Sequence, residues 1–421
     1  MQRREALAAL ASALTGAGCL RLQEAGSTGT RTLRPTRTRT ETVTETGTQT
    51  SAGTRTETAT ETATETETAV EGQPVTGLSR SFAYDAANTG YYAVSGPTEK
   101  PAESWTRSLA GRIRSVPALL DGRLYVAAGG LHALDASTGD VLWTGDRGDQ
   151  ADPVVGDDLV YAGDGRGIAA YDVTDGQRAW AANGDARGLT LANGRLFAAM
   201  SDGLRVFDAG TGSELWSDLH GSVVRAPPAV ADGTVVTNDE DGHVRGYATG
   251  TGERRWTVDI GSEDDGINYP YFRSAPVISG ATVYSACQDY NVYAIDRSSG
   301  SSEAIYNNNG SMKPTPAIAD GTLYVGGDGG IVAAVDADTG DRKWRTYDNT
   351  GSVYSNVVAT QNSVFAVDDS GLLVAYDRSN GDVRYKLGLT RSRTRCGPLV
   401  TNDWIFVGDG DGTLHAFTTG N

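Results

Sequence analysis

From about residue 76 onward, apolar and polar positions follow one another in short runs with a period of two, not in helical spacing. An apolar stretch such as Pro117-Ala-Leu-Leu120 leads to a turn at Asp121-Gly122. An alternating run follows, then a second Gly-rich turn and a further run. Runs of this length are strands, and Asp-Gly between apolar runs marks a hairpin. The same turn returns at Asp232-Gly233 and Asp320-Gly321. Each pass closes on one signature, seen as Asp135-Ala-Ser-Thr-Gly139-Asp-Val-Leu-Trp143. It recurs from Asp172 to Trp180, Asp208 to Trp216, Ala248 to Trp256, Asp296 to Ala304, Asp336 to Trp344 and Asp377 to Tyr385, at intervals of 36 to 48 residues. One repeat is therefore a four-stranded antiparallel unit whose fourth strand carries the Trp.

Four-stranded units of about 40 residues are propeller blades. Apolar cores near residues 117, 153, 189, 228, 276, 316, 357 and 398 count eight of them. The eighth, Pro398 to Phe417, ends without a Trp strand, while Trp105 precedes the first core with no blade in front of it. Pairing the Trp105 strand with the C-terminal blade closes the ring and removes two open sheet edges. The expected fold is all-β, an eight-bladed propeller over residues 76–421. Trp105, Trp143, Trp180, Trp216, Trp256 and Trp344 are expected to pack between blades.

The first 75 residues read differently. Arg3-Arg4, a short Ala/Leu run and small residues before Cys19 resemble a twin-arginine lipoprotein signal, with Cys19 as the acylated residue. Residues 20–75 read as an extended tether. Thr fills 19 of the 41 positions 28–68, mostly every second one, and neither face of that alternation is apolar. These segments imply an exported protein, anchored by lipid on the extracellular face. No apolar run approaches the roughly 20 residues that span a bilayer.

Charge narrows the partners. With 36 Lys+Arg against 53 Asp+Glu the chain carries a net −17, so it is not built to meet nucleic-acid phosphates. Lys is scarce and Asp abundant, a balance that resembles haloarchaeal proteins. The 3 Cys cannot form a disulfide framework. His132, His220, His243 and His415 lie far apart and give no metal-site spacing. Asp239-Glu-Asp241-Gly242 and Asp409-Gly-Asp411-Gly412 look like calcium loops, but both fall on a blade's second hairpin turn, where turn chemistry explains them.

The stretches Ala133 to Trp143 and Ala334 to Trp344 resemble the pyrroloquinoline-quinone (PQQ) repeat of the quinoprotein alcohol dehydrogenase-like propeller. Asp85-Ala-Ala-Asn-Thr-Gly90 is similar to the lead-in of archaeal members. The resemblance implies a fold shared by enzymes, assembly lipoproteins and sensor domains. Its enzymes carry a vicinal Cys-Cys pair, a calcium site and a catalytic Asp. Here Cys287 and Cys396 stand in blades five and eight, and no Asp maps onto the catalytic one. The chain is closer to the BamB-type non-enzymatic branch, so no catalytic residue and no cofactor is expected. PQQ with calcium is the alternative.

One pattern points to a binding site. The residue three before each inner strand's Pro, or its equivalent, is Arg114, Gln150, Arg187, Arg225, Arg273, Lys313, Tyr354 or Arg395. Six of the eight are cationic in a propeller of net −16. Converging on the axis, they would form a funnel for an anion such as a glycan, a phosphorylated metabolite or PQQ. Alternatively, each pairs with an Asp or a carbonyl of the neighbouring blade. A second candidate surface is the long connection 261–272, whose Tyr269, Tyr271 and Phe272 would form a partner-binding lip. The reading is a monomeric cell-surface lipoprotein whose propeller is a binding or assembly scaffold for an envelope protein or an anionic ligand. A PQQ-dependent dehydrogenase and a glycan-binding or glycan-processing propeller are the alternatives.

Overall fold

The computed structural model describes residues 75, 79–260, 272–389 and 394–420. They form eight four-stranded antiparallel sheets, the blades of a closed propeller. Blade 1 runs Ala118–Leu120, Arg123–Ala127, Leu131–Asp135, Val141–Gly145 in that spatial order. Blades 2 to 7 repeat it, with first strands opening at Val154, Ala186, Ala229, Val277, Ala317 and Val358. Blade 8 has Leu399–Val400, Trp404–Gly408 and Thr413–Thr418. Its fourth strand is Ala102–Ser108, paired antiparallel to Thr413–Thr418, so the Trp105 strand closes the ring as the sequence predicts. From blade 1 round to blade 7 the first strands of successive blades touch each other, which places them at the axis.

Burial follows from this layering. Second and third strands lie between neighbouring blades and are buried on both faces, as in Thr322–Gly327 and Ile331–Asp336. Fourth strands keep one face in water. A bulge in the fourth strand just before the Trp turns one residue outward, which leaves Leu142 and Leu215 about half exposed.

Each Trp is a fastener between blades. The indole N–H of Trp105, Trp143, Trp180, Trp216, Trp256 and Trp344 donates to the carbonyl of Ala136, Val173, Ala209, Thr249, Arg297 and Arg378, in each case on the next blade. The ring lies over the signature Gly of that blade. A Cβ on Gly212 would sit 2.6 Å from Trp180. Gly194, in the same blade, has the same left-handed backbone (φ +71° against +73°) but open space around its Cα. Gly194→Ala is therefore expected to cost only backbone strain, about 1 kcal/mol. Gly212→Ala adds displacement of the indole, roughly 1–3 kcal/mol more. Equal melting temperatures for the two variants would show that the Trp–Gly contact does not hold the blades.

The lead-in has a role of its own. Residues 79–92 run along the edges of the inner strands. The N–H groups of Leu119, Val155, Val230, Ile278, Ile318 and Ala359 donate to the carbonyls of Ser79, Arg80, Ala86, Ala87, Thr89 and Gly90. These partners belong to blades 1, 2, 4, 5, 6 and 7. Asn88, at φ 59°, is buried and gives its amide to the carbonyls of both Pro227 and Pro276. Asp85 holds the Thr89 amide and hydroxyl, and burial raises its pKa. Tyr92 is 1% exposed. This segment supplies acceptors to inner edges that would otherwise have none from a neighbouring strand. It reaches the face of the Asp-Gly turns at Gln361, whose N–H donates to the carbonyl of Val94.

Candidate functional site

The opposite face carries the starts of the inner strands and the turns between second and third strands. The eight ring positions lie here, and the structure sorts them. Arg225 in blade 4 grips Glu240 with two parallel bonds, Nε to Oε1 and Nη2 to Oε2 (the latter 3.2 Å). Lys313 in blade 6 bonds Asp328 at 3.1 Å and the Tyr354 hydroxyl at 3.2 Å. Both acids stand fifteen residues after their cation, on the second turn of the same blade. Arg187 pairs with Asp185 at 2.5 Å, again within its blade. The alternative set out from sequence, an Asp or a carbonyl of the neighbouring blade, is not what pairs with these three cations; Lys313 reaches across only to the Tyr354 hydroxyl. For Arg225 and Lys313 the reason is geometric: the second turn of the blade folds back beside the start of its own inner strand.

Arg114 and Arg395 differ. Both are exposed, and neither has an ion pair among the described residues. Fifteen residues on, each meets a Gly, Gly129 and Gly410, where blades 4 and 6 have carboxylates. Their blades are adjacent. The thiol of Cys396 bonds the carbonyl of Ser115 at 3.0 Å, so the residues following Arg395 and Arg114 touch. Tyr354 lies between two cations, with Lys313 Nζ at 4.3 Å and the Arg395 guanidinium at 5.8 Å from its ring centre. Arg273 is exposed, and Gln150 is uncharged.

The buried Asp residues of the second turns are structural. Asp239, Asp368 and Asp409 have no exposed surface. Each carboxylate accepts the amides two and four residues ahead. Their second oxygens meet Arg245, the Thr350 and Gly351 amides, and His415 respectively. Gly242 and Gly412, at φ 86° and 90°, complete the turns. These carboxylates are already committed to N–H donors, and among the described residues no group of three or more His, Cys, Asp or Glu could hold a metal ion. His415 ties the closing strand through Glu103 at 2.9 Å, and His132 bonds the carbonyl of Ala128 at 3.0 Å.

Just inside the mouth, inner strands are stapled by side chains of the next blade. Val116 N–H donates to Asp152 Oδ1 at 2.5 Å, Ala275 to Thr315 at 2.7 Å and Thr315 to Asn356 at 3.4 Å. Asp152 is nine-tenths buried with no cation against it, and burial raises its pKa to about 7.

The remaining predicted residues are placed as follows. Phe272 is 1% exposed and packs with Ala229, Val244 and Trp256 in the core between blades 4 and 5. It is not part of a partner lip, because its side chain is buried in that core. Tyr269, Tyr271 and Cys19 lie outside the described residues. Cys287 and Cys396 are buried thiols. Burial pushes the Cys396 thiol up to about 12, and that of Cys287 higher still. Sequence reasoning missed Glu240, Asp328 and Asp152 as partners, and saw the lead-in only as a motif. The fifteen-residue offset was the available signal for the first two.

Comparison with known proteins agrees with the fold. A family model described as outer membrane protein assembly factor BamB matches residues 92–192, 169–386 and 330–421. The chain is 25% identical to the Streptomyces coelicolor serine/threonine-protein kinase AfsK over 60% of its own length and 34% of the relative's. It is 28% identical to the Shewanella oneidensis outer membrane protein assembly factor BamB, over 58% of this chain and 60% of that one. The chain thus spans about a third and three fifths of these relatives. Among solved structures, the quinohemoprotein alcohol dehydrogenase of Comamonas testosteroni superposes with a TM-score of 0.67 at 15% identity, covering 82% of this chain and 81% of that one.

Proposed function

Since the chain belongs to the PQQ-repeat family described as outer membrane protein assembly factor BamB, we propose that it is a non-enzymatic envelope scaffold whose propeller binds a partner protein at the cation-bearing mouth of its axis. A lipid on Cys19 and a Thr-rich tether would hold the propeller at the extracellular face of the membrane. One observation supports the choice of mouth. The lead-in is bonded to the inner strands of six blades and turns toward the face of the Asp-Gly turns, which leaves the face where Arg114, Arg187, Arg225, Arg273, Lys313 and Arg395 stand for a partner.

The dehydrogenase reading asks more of the same mouth. Calcium wants six to eight oxygen ligands. Asp239, Asp368 and Asp409 are taken by amides, Arg245 and His415, and Asp152 stands without a second carboxylate. The residues do not fit PQQ with calcium. The test places a photo-crosslinking amino acid at Arg114, at Arg395 and, as a control, at Leu142 on the outer rim. Envelope proteins crosslinked from the two mouth positions and not from Leu142 are expected. Crosslinks from Leu142 alone would overturn the mouth. Saturable, calcium-dependent binding of PQQ in an absorbance titration would overturn the non-enzymatic reading.

A further inference from the structure

The ring position shows, within this molecule, what it binds. In blade 4 the Arg225 fork holds the carboxylate of Glu240 by two bonds, and in blade 6 Lys313 holds that of Asp328. A planar guanidinium matches a carboxylate in that two-point geometry. Blades 8 and 1 keep the cation and lack the acid, since Gly410 and Gly129 occupy the offset where blades 4 and 6 carry Glu240 and Asp328. Arg395 and Arg114 are exposed, have no ion pair among the described residues, and stand in adjacent blades, where the residues that follow them touch through the Cys396–Ser115 contact. Tyr354 flanks the pair and orients Arg395 from one side. The ring cations are therefore unequally compensated. The cations of blades 3, 4 and 6 are neutralised within their blades, while Arg395 and Arg114 have no such partner.

We infer that Arg395 and Arg114 form a paired seat for carboxylates supplied in trans, and that the occupant is an acidic peptide segment of a partner, whose side chains take the places of Glu240 and Asp328. This inference rests on the scaffold reading and narrows it. A peptide is favoured over a small dicarboxylate because the seat is open to solvent. Two exposed ion pairs hold little by themselves, and a chain that also crosses Tyr354 and the neighbouring turns adds contact area.

The probe is a fluorescein-labelled hexaglutamate peptide, read by anisotropy on the whole chain at low and high KCl. Saturable binding that weakens with salt is expected. Arg114→Gln with Arg395→Gln is expected to weaken it by up to about tenfold, the scale of two exposed ion pairs. Gly410→Glu leaves both cations in place but supplies an internal carboxylate to Arg395, and is expected to weaken binding severalfold. Glu240→Gln releases Arg225 and is expected to strengthen it. Circular dichroism confirms that each variant folds. Unchanged affinity in the double Arg variant, or no binding to the native chain at low salt, overturns the seat. Competition by free glutarate as strong as by the peptide, carboxylate for carboxylate, overturns the peptide as occupant. None of these outcomes decides the scaffold reading, because the crosslinks from the mouth report a partner whatever its charge.

Discussion

A chain beginning at residue 98, with the closing strand Ala102–Ser108 intact, is expected to lose cooperative folding, while one beginning at residue 76 keeps it. The two differ by the lead-in. Its removal strips acceptors from the N–H groups of Leu119, Val155, Val230, Ile278, Ile318 and Ala359. At about 1 kcal/mol net per hydrogen bond, that is roughly 6 kcal/mol, comparable with the whole stability of a typical domain. Lost burial of Tyr92 and Asn88 adds to it. Because the partners sit in six blades, the loss is spread around the ring and no single blade can compensate. Point variants grade the effect. Asn88→Ala leaves the carbonyls of Pro227 and Pro276 without their donor and is expected to cost about 2–3 kcal/mol. Tyr92→Ala opens a cavity at the axis and is expected to cost about 3–5 kcal/mol. Tyr92→Phe loses only a 3.4 Å contact with Ser79 and should be nearly silent. Thermal unfolding at fixed salt measures all four. A chain beginning at residue 98 that melts cooperatively at the same temperature as the longer one would show that the lead-in is ornamental.

What was legible in the sequence follows from periodicity. The Asp-to-Trp signature repeats at nearly constant spacing, so blade number, strand order and the role of Trp105 could be read before any coordinates. The six cationic positions were readable for the same reason, being tied to a recurring Pro. Their pairing was not. Arg225 and Glu240 stand fifteen residues apart on different elements, and only the return of the second turn to the inner strand brings them together. The lead-in was recognisable as a motif but not as a structural element, because it is irregular and its hydrogen bonds go to six separated places in the chain. Phe272 misled because an aromatic after an acidic stretch reads as exposed, whereas its burial depends on the neighbouring blade.

Asp152→Asn is expected to make the propeller more stable above neutral pH and to leave it nearly unchanged near pH 4. Burial favours the neutral carboxylic acid over the carboxylate, and the Val116 amide offsets this only in part. The folded state therefore holds the proton up to about pH 7, while the unfolded chain releases it near the ordinary value of 3.8. Between those values the folded state binds more protons than the unfolded one, so stability falls as pH rises. Below the unfolded value the group costs nothing. Above about 7 the full penalty is present, on the order of 4 kcal/mol. Asn keeps an oxygen to accept from Val116 and carries no charge, so the difference in unfolding free energy between variant and native chain should be small at pH 4, grow through pH 5 to 7 and level off beyond. The subtraction matters, because the other carboxylates move the native curve as well. A difference that stays flat from pH 4 to pH 8 would mean that Asp152 is ionised in the folded state throughout, held by water or by a cation that enters from the mouth. An anion docking at Arg114 and Arg395 would raise the Asp152 pKa further, so the same titration repeated with the hexaglutamate peptide should shift the plateau to higher pH. That shift would link a buried carboxylate on blade 2 to the seat on blades 8 and 1 through charge alone, with no movement of the ring.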